Sequence, residues 1–289
     1  MEIGFIGFGL IGGSLAMIWK NNHSDFTITA YNYHEKPSDE LLKAKADGVI
    51  DDITNDIGVI AKSDMIVLAA PVMANVEYLK MLAPLVGPDT LITDVGSSKA
   101  VITKTAIESG LSKIFIGGHP MAGSEKTGYS SGSVDLFKNA WYFLTPNEVT
   151  EERKLSFLQK LVAETGANCV IAEPSKHDRI TAAVSHLPHL ASAALTDTVA
   201  EEDLSEDMAK YAAGGFRDTT RIASSSPAMW RDICLSNPEA VADMLTKYIH
   251  KLNVVREMVL AGDGNGITEL FNESREYRAT LSEDKRVKK

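Results

Sequence analysis

Ile3-Gly4-Phe5-Ile6-Gly7-Phe8-Gly9-Leu10-Ile11-Gly12 is the stretch on which the reading of the fold turns. Ile3–Ile6 is a short apolar run of strand character, and glycines 7, 9 and 12 follow it in G-x-G-x-x-G spacing before a helical pattern over Gly12–Lys20. The spacing alone is a weak signal. Between a strand and a helix, however, each glycine has a mechanical role. Gly7 permits the tight turn, Gly9 lets a pyrophosphate approach the backbone, and Gly12 allows the helix to pack close to the strand. The helix N-terminus then presents unpaired N–H groups to phosphate. Gly7, Phe8, Gly9, Leu10, Ile11 and Gly12 therefore point to a bound nicotinamide dinucleotide.

Outward from this stretch, strand-like runs recur at Thr27–Tyr31, Met65–Ala69, Leu91–Thr93, Ile114–Ile116 and Trp141–Leu144. Helical patterns lie between them at Asp39–Asp47, Asn75–Leu82 and Ser98–Ser109, the rhythm of a parallel α/β sheet. After a helix over Glu151–Thr165 and a run at Asn168–Ile171, strand signals fade. Ser175–Glu201, Glu206–Ser224, Ala228–Ser236 and Glu239–Ala261 read as helices. The expected organisation is a dinucleotide-binding domain over residues 1–172 and a helical domain over 173–289, with Pro174 marking the turn between them. The basic residues Lys285, Arg286, Lys288 and Lys289 read as a frayed tail.

With 289 residues, two domains are the expectation at roughly 150 residues each. Composition near the globular average (44% hydrophobic, 24% charged) argues against disorder and coiled coil. The balance of 29 basic against 39 acidic residues leaves a formal charge of −10, which repels phosphate backbones and anionic membranes, so neither nucleic acid nor membrane is an expected partner. A small anionic substrate stays compatible, because a few converging cations override the global sign locally. The longest nearly apolar run, Met65 to Ala74, is too short to span a bilayer, and no basic residue precedes Lys20 as a secretory signal requires, so the cytoplasm is the expected compartment. Cys169 and Cys234 lack metal-type spacing and read as reduced thiols; no metal site is expected.

In open α/β sheets ligands bind beyond the carboxyl ends of the strands. After the second strand stands Asn32, where an acid would normally hold the ribose 2′-hydroxyl. Asparagine still hydrogen-bonds a hydroxyl but does not repel a 2′-phosphate, so NADP stays open, while the lack of a nearby arginine favours NAD. Pro71 and Val72 follow a third strand and would shape the cofactor wall. Ser97 and Lys99 follow the next, offering a hydroxyl and a cation where a helix begins. His119 follows another on a glycine-flanked turn, where an imidazole near neutrality suits a proton acceptor. Ser97 and His119 thus converge on the nicotinamide end. In the helical half, His177, Thr181, Ser185 and His189 recur every four residues and line one stripe, because four residues advance only about 40° around a helix; Pro188 should kink it. Arg217 and Arg221, in a glycine-led segment, offer forks that match carboxylates.

Gly7–Ser14, Val95–Ala100, GGHPMAGSEKTG at Gly117–Gly128, SHLPH at Ser185–His189, GGFRDTTRIA at Gly214–Ala223 and MWRDI at Met229–Ile233 together resemble the prephenate/arogenate dehydrogenase family of tyrosine biosynthesis, in order over about residues 1–280. The resemblance implies a Rossmann-type doubly wound sheet, a C-terminal all-helical dimerisation domain and an intimate homodimer. It implies NAD(P)-dependent oxidative decarboxylation of prephenate or arogenate. His119 would accept the substrate 4-hydroxyl proton, Ser97 would orient that hydroxyl, and Arg221 would clamp a carboxylate. His189 with Arg217, Ser124 and Glu125 would line the substrate pocket; Glu125, Lys126 and Asp178 look like cleft-gating residues, and Trp230 like a residue near the substrate. No appended regulatory or chorismate mutase domain is expected within this length. The competing readings are arogenate oxidation, a β-hydroxyacid dehydrogenase, for which a catalytic lysine in GxxxNxxK-like spacing is missing, and a dinucleotide sensor with an inert cleft.

Overall fold

A computed structural model describes residues 1–123, 126–203 and 207–281. The chain packs as two compact units, Met1–Pro238 and Glu239–Lys289. The first contains eight strands: β1 (Glu2–Ile6), β2 (Thr27–Tyr31), β3 (Asp52–Thr54), β4 (Met65–Leu68), β5 (Leu91–Asp94), β6 (Phe115–Pro120), β7 (Trp141–Thr145) and β8 (Asn168–Ile171). Six helices accompany them: α1 (Leu10–Asn22), α2 (Asp39–Ala46), α3 (Ile57–Ile60), α4 (Val72–Leu82), α5 (Ala100–Glu108) and α6 (Glu152–Glu164). The strands form one sheet of order β3-β2-β1-β4-β5-β6-β7-β8, parallel except for the antiparallel β6–β7 pair. The order reverses between β1 and β4, the switch point where open α/β sheets bind ligands.

Alternation along the strands divides the apolar side chains between the two faces of the sheet. Ile3 and Phe5 of β1 join Met65 and Val67 of β4 in a core with Trp19, Tyr142 and Leu158. Ile6, Ile66 and Leu68 belong to a second core with Leu79, Ile92, Ile102 and Phe115. Both faces being covered explains why these strands read as continuous apolar runs.

The helices that complete the first unit are α7 (Pro174–Thr181), α8 (Leu187–Glu202), α9 (Gly214–Thr220) and α10 (Pro227–Ser236). The second unit is formed by α11 (Pro238–Ala261) and α12 (Gly264–Thr280).

Several sequence expectations need correction. The strand expected at Ile114–Ile116 runs on to Pro120, because Gly117 and Gly118 only look like breakers. They serve close packing instead: a Cβ on Gly117 would lie 2.3 Å from Thr145 Oγ1, and one on Gly118 2.5 Å from the Asp94 carbonyl. His119 is consequently on a strand, opposite Phe143, and not on a turn. Ser175–Glu201 is helical throughout but not uniformly α-helical. A π-turn over Ala182–His186 separates α7 from α8, with Leu187 N–H donating to Ala182 O just before Pro188. Glu206–Ser224 divides into a 3-10 turn at Met208–Tyr211, α9 and a 3-10 turn at Arg221–Ser224. The three-residue β3 and the polar α12 carry too little apolar periodicity to be seen in the sequence. Lys285, Arg286, Lys288 and Lys289 lie outside the described residues.

Cys169 and Cys234 are free and half-buried. Among the described residues no helix is long and apolar enough to cross a membrane.

Candidate active site

The glycine loop is built as its spacing requires. Gly7 has φ of +91°, and a Cβ there would meet the Ala69 carbonyl carbon at 2.4 Å. On Gly12 a Cβ would lie 2.8 Å from Gly7 O and 2.9 Å from Ala69 Cβ, so α1 can approach β4 only with glycine. Around Gly9, by contrast, a Cβ would find nothing within 4 Å. Gly9 caps α1 without any side-chain hydrogen bond, so a phosphate can reach the first-turn N–H groups over an open backbone. Phe8 stacks on Tyr129 with centroids 5.7 Å apart, while Leu10 and Ile11 are half-buried in the first turn. These residues fit a dinucleotide pyrophosphate.

The facing loop after β4 is held by Asn75, a fully buried residue. Its Nδ2 donates to Leu68 O (3.2 Å) and Ala70 O (2.9 Å), and its Oδ1 accepts from Ala70 N–H (3.2 Å). Pro71 is exposed and caps α4, whereas Val72 is buried beneath Gly96. Asn32 is 5% exposed at the end of β2 and donates from Nδ2 to His34 O at 2.5 Å. His34 and Lys36 are exposed.

At the ends of β5 and β6 a buried polar network fixes the backbone. Asp94 and Lys99 are both inaccessible to solvent and form an ion pair. Lys99 Nζ also donates to Gly118 O (2.7 Å), and Asp94 accepts from Gly96 N–H (2.8 Å) and Gly118 N–H (3.1 Å). Burial pulls the Lys99 ammonium down and the Asp94 carboxylate pulls it back up. The expectation that Lys99 offers a cation to the cleft is thus overturned: it ties together the two strand ends that carry Ser97 and His119. Ser97 is half-buried and its hydroxyl has no partner among the described residues; α5 is capped at Lys99, so Ser97 is not the helix cap.

Asp178 does not gate the cleft as expected. It is 3% exposed, accepting from Lys99 N–H (2.7 Å) and Ala100 N–H (2.8 Å) at the start of α5. Its Oδ1 also bonds His177 Nδ1 at 2.8 Å, and His177 Nε2 bonds His119 Nδ1 at 2.8 Å. The second nitrogen of His119, Nε2, has no partner among the described residues, and the residue is half-buried. Desolvation, with His177, Lys99 and His186 adding to it, holds His119 well below the ordinary imidazole value, so it is neutral at physiological pH.

His177, Thr181, Ser185 and His189 do not share one stripe. The π-turn inserts a residue, so His186 rather than Ser185 turns inward; it is 1% exposed and burial pushes it down to about 4. Thr181 donates to the carbonyls of His177 (3.2 Å) and Asp178 (3.1 Å). His186 packs edge-on to Trp230, and the indole stacks on His189 at 4.1 Å. Both His186 nitrogens and Trp230 Nε1 are buried without a partner among the described residues. His189 Nδ1 donates to Ser185 O at 2.9 Å, leaving Nε2 as the available nitrogen. α9 is fastened to α8 by Ser192 Oγ donating to Thr219 O at 2.8 Å. Arg217 and Arg221 are exposed there, with no ion pair to a described residue. Ser124 and Glu125 lie outside the described residues; Lys126 is exposed.

Sequence reading misses Asn75 and His186, and mistakes Asp178. A lone amide on the apolar side of α4 is the available signal for Asn75; the register shift that buries His186 has none short of the π-turn itself.

The first unit thus carries a glycine loop of dinucleotide-binding geometry, a neutral imidazole at the end of β6, a serine hydroxyl after β5 and exposed guanidiniums on the α9 segment. Residues 15–171 match the family model for the prephenate dehydrogenase nucleotide-binding domain, and residues 173–273 that for the prephenate dehydrogenase dimerization domain. The chain belongs to the prephenate dehydrogenase family. It is 38% identical to a prephenate dehydrogenase of Bacillus subtilis over 279 residues, 95% of this chain and 74% of the relative. Identity to a cyclohexadienyl dehydrogenase of Zymomonas mobilis is 32% over 286 residues, covering 98% and 97% of the two chains. Among solved structures, a prephenate dehydrogenase from A. aeolicus, in complex with hydroxyphenyl propionate and NAD+, superposes with a TM-score of 0.89 at 30% identity, over 98% of each chain. As a prephenate dehydrogenase family member the chain is an oxidoreductase with a dinucleotide-binding domain.

Proposed function

We propose that this chain oxidatively decarboxylates prephenate to 4-hydroxyphenylpyruvate with NAD, His119 acting as the proton acceptor. The observation that carries the reading is the His119 imidazole: neutral, fixed through Nδ1, unpartnered at Nε2 among the described residues, and set near the C-terminal end of β6. The dinucleotide, when bound, supplies the hydride acceptor. His119 Nε2 takes the 4-hydroxyl proton as hydride leaves C4, the ring carboxylate departs as CO₂ while the ring becomes aromatic, and the proton returns from His119 to the phenolate oxygen. Ser97 orients the hydroxyl. Arg221, with Arg217 and His189 beside it, holds a substrate carboxylate, and Ser124 and Glu125 line the pocket. A dianionic substrate in a chain of charge −10 needs such a local concentration of cations.

Asn32 supports NAD over NADP. One Nδ2 hydrogen is committed to His34 O, so Oδ1 and the second Nδ2 hydrogen remain for the ribose, and Oδ1 pairs with a hydroxyl but not with a phosphate oxygen. The division of labour places dinucleotide binding in residues 1–172 and substrate binding and assembly in 173–289. The assembly is a homodimer through the helical part. Support comes from the dimerization-domain match and from helices with little buried surface: α11 buries only Val241 and α12 buries nothing, while Ile249, Leu252, Leu260 and Phe271 are exposed.

Initial rates of absorbance at 340 nm, with prephenate and arogenate each crossed with NAD and NADP, test the reading. The highest kcat/KM is expected for prephenate with NAD. Preference for arogenate would transfer the reading to that substrate, and no turnover in any pairing despite cofactor binding would end it.

A further inference from the structure

His177 and Asp178 are buried from solvent, and they form a chain of hydrogen bonds that ends at the His119 ring. Asp178 accepts from the Lys99 and Ala100 N–H groups, and an ionised carboxylate only accepts. The proton of the 2.8 Å contact with His177 therefore sits on His177 Nδ1. A neutral imidazole with its hydrogen on Nδ1 presents a lone pair at Nε2, so the 2.8 Å contact to His119 is donated by His119 Nδ1–H. His119 is thereby left with its lone pair at Nε2, on the side without a partner. The tautomer follows from the network: one buried carboxylate sets two rings.

Resting on the reading of His119 as proton acceptor, we propose that His177, polarised by Asp178, is a positioning residue that fixes the reactive His119 tautomer and stabilises the imidazolium formed during the reaction. When His119 Nε2 takes the alcohol proton, the ring gains a positive charge. Its Nδ1–H then donates to a neutral nitrogen whose far side is already bonded to a carboxylate, so the charge is met by the Asp178 dipole chain while that carboxylate stays ionised. The need is acute because the other charged or titratable groups around these rings oppose a cation or lie further off. Lys99 and His186 disfavour charge on His119, as would His177 were it itself protonated, a form that the tautomer assigned above does not carry; for His177, Asp178 and Asp94 favour charge while Lys99 opposes it. Phe143 packs edge-on against the His177 ring at 5.1 Å and supplies no acceptor.

The test compares His177→Leu and His177→Gln in the full-length protein. Leucine removes the acceptor, whereas the glutamine carbonyl reaches the place of Nε2 and can receive the His119 Nδ1–H. For His177→Leu, loss of a hydrogen bond to a charged group predicts kcat lowered roughly 10- to 150-fold, with KM and the NAD dissociation constant changed by less than about twofold. The acid limb of kcat/KM should move to lower pH, because the imidazolium is less well supported. His177→Gln should recover activity by about fivefold or more over leucine. Purely structural packing would instead lower both variants alike, in proportion to lost folded protein and with the acid limb unmoved; that result overturns the inference. If His119→Asn itself retains wild-type kcat, the reading of His119 has failed. If His119→Asn is inactive and His177→Leu keeps the wild-type pH profile, only the role of His177 has failed.

Discussion

The buried imidazole of His186 makes this protein acid-sensitive in a way that can be calculated. Its ordinary value of 6.5 falls to about 4 in the fold, chiefly through burial, with both ring nitrogens lacking a partner among the described residues. A depressed folded pKa means that the unfolded chain binds the proton first. The contribution is complete above pH 6.5 and is lost as pH falls toward about 4. From these two values the loss is about 2 kcal/mol at pH 5 and about 3 kcal/mol at pH 4. His186→Leu removes the titration at similar volume, while His119 and His177 stay in place. Urea unfolding of wild type and variant at pH 8 and pH 5 isolates the term. The variant should gain about 2 kcal/mol on wild type between the two, or roughly 4 to 8 °C in Tm for a chain of this size. Parallel loss of stability in both proteins would refute the argument, because it would show that His186 is hydrated or paired in solution.

His119→Asn should lower kcat by about 10²- to 10⁴-fold with little change in NAD affinity, measured by initial rates and cofactor titration. Arg221→Ala loses a charge-assisted pair of about 1.5–3 kcal/mol, and prephenate KM should rise roughly 10- to 150-fold; an unchanged KM would move the carboxylate site elsewhere. The glycine loop offers a paired experiment. Gly9→Ala meets no protein atom within 4 Å, so Tm should hold while the NAD dissociation constant rises. Gly7→Ala, at φ of +91° and 2.4 Å from the Ala69 backbone, should lower Tm as well, read by differential scanning fluorimetry.

Much of this architecture is legible in the sequence because its signals are local. The strand runs from Ile3 to Leu144 are mostly apolar on both faces, and the G-x-G-x-x-G loop sits where a tight turn meets a helix. His119 and Ser97 stand out because strand ends in such sheets carry chemistry. What stays hidden depends on partners distant in the chain. Lys99 reads as an available cation until Asp94 is placed against it across the β5–β6 ends. Asp178 reads as a gate until α7 brings it to the amides that open α5. The π-turn before Pro188 exchanges Ser185 for His186 on the inward side, a shift that a fixed period of 3.6 residues misses. Gly117 and Gly118 mislead for the opposite reason: they are strand residues chosen for lack of side chain.

The central claim is that this cleft couples hydride removal to decarboxylation, and product stoichiometry tests it most directly. With limiting prephenate and excess NAD, NADH by absorbance, CO₂ by trapping and 4-hydroxyphenylpyruvate by chromatography should appear in equimolar amounts, and His119→Asn should suppress all of them together. Release of CO₂ without NADH, giving phenylpyruvate by loss of water, or no reaction by a protein that binds NAD normally, would contradict the account.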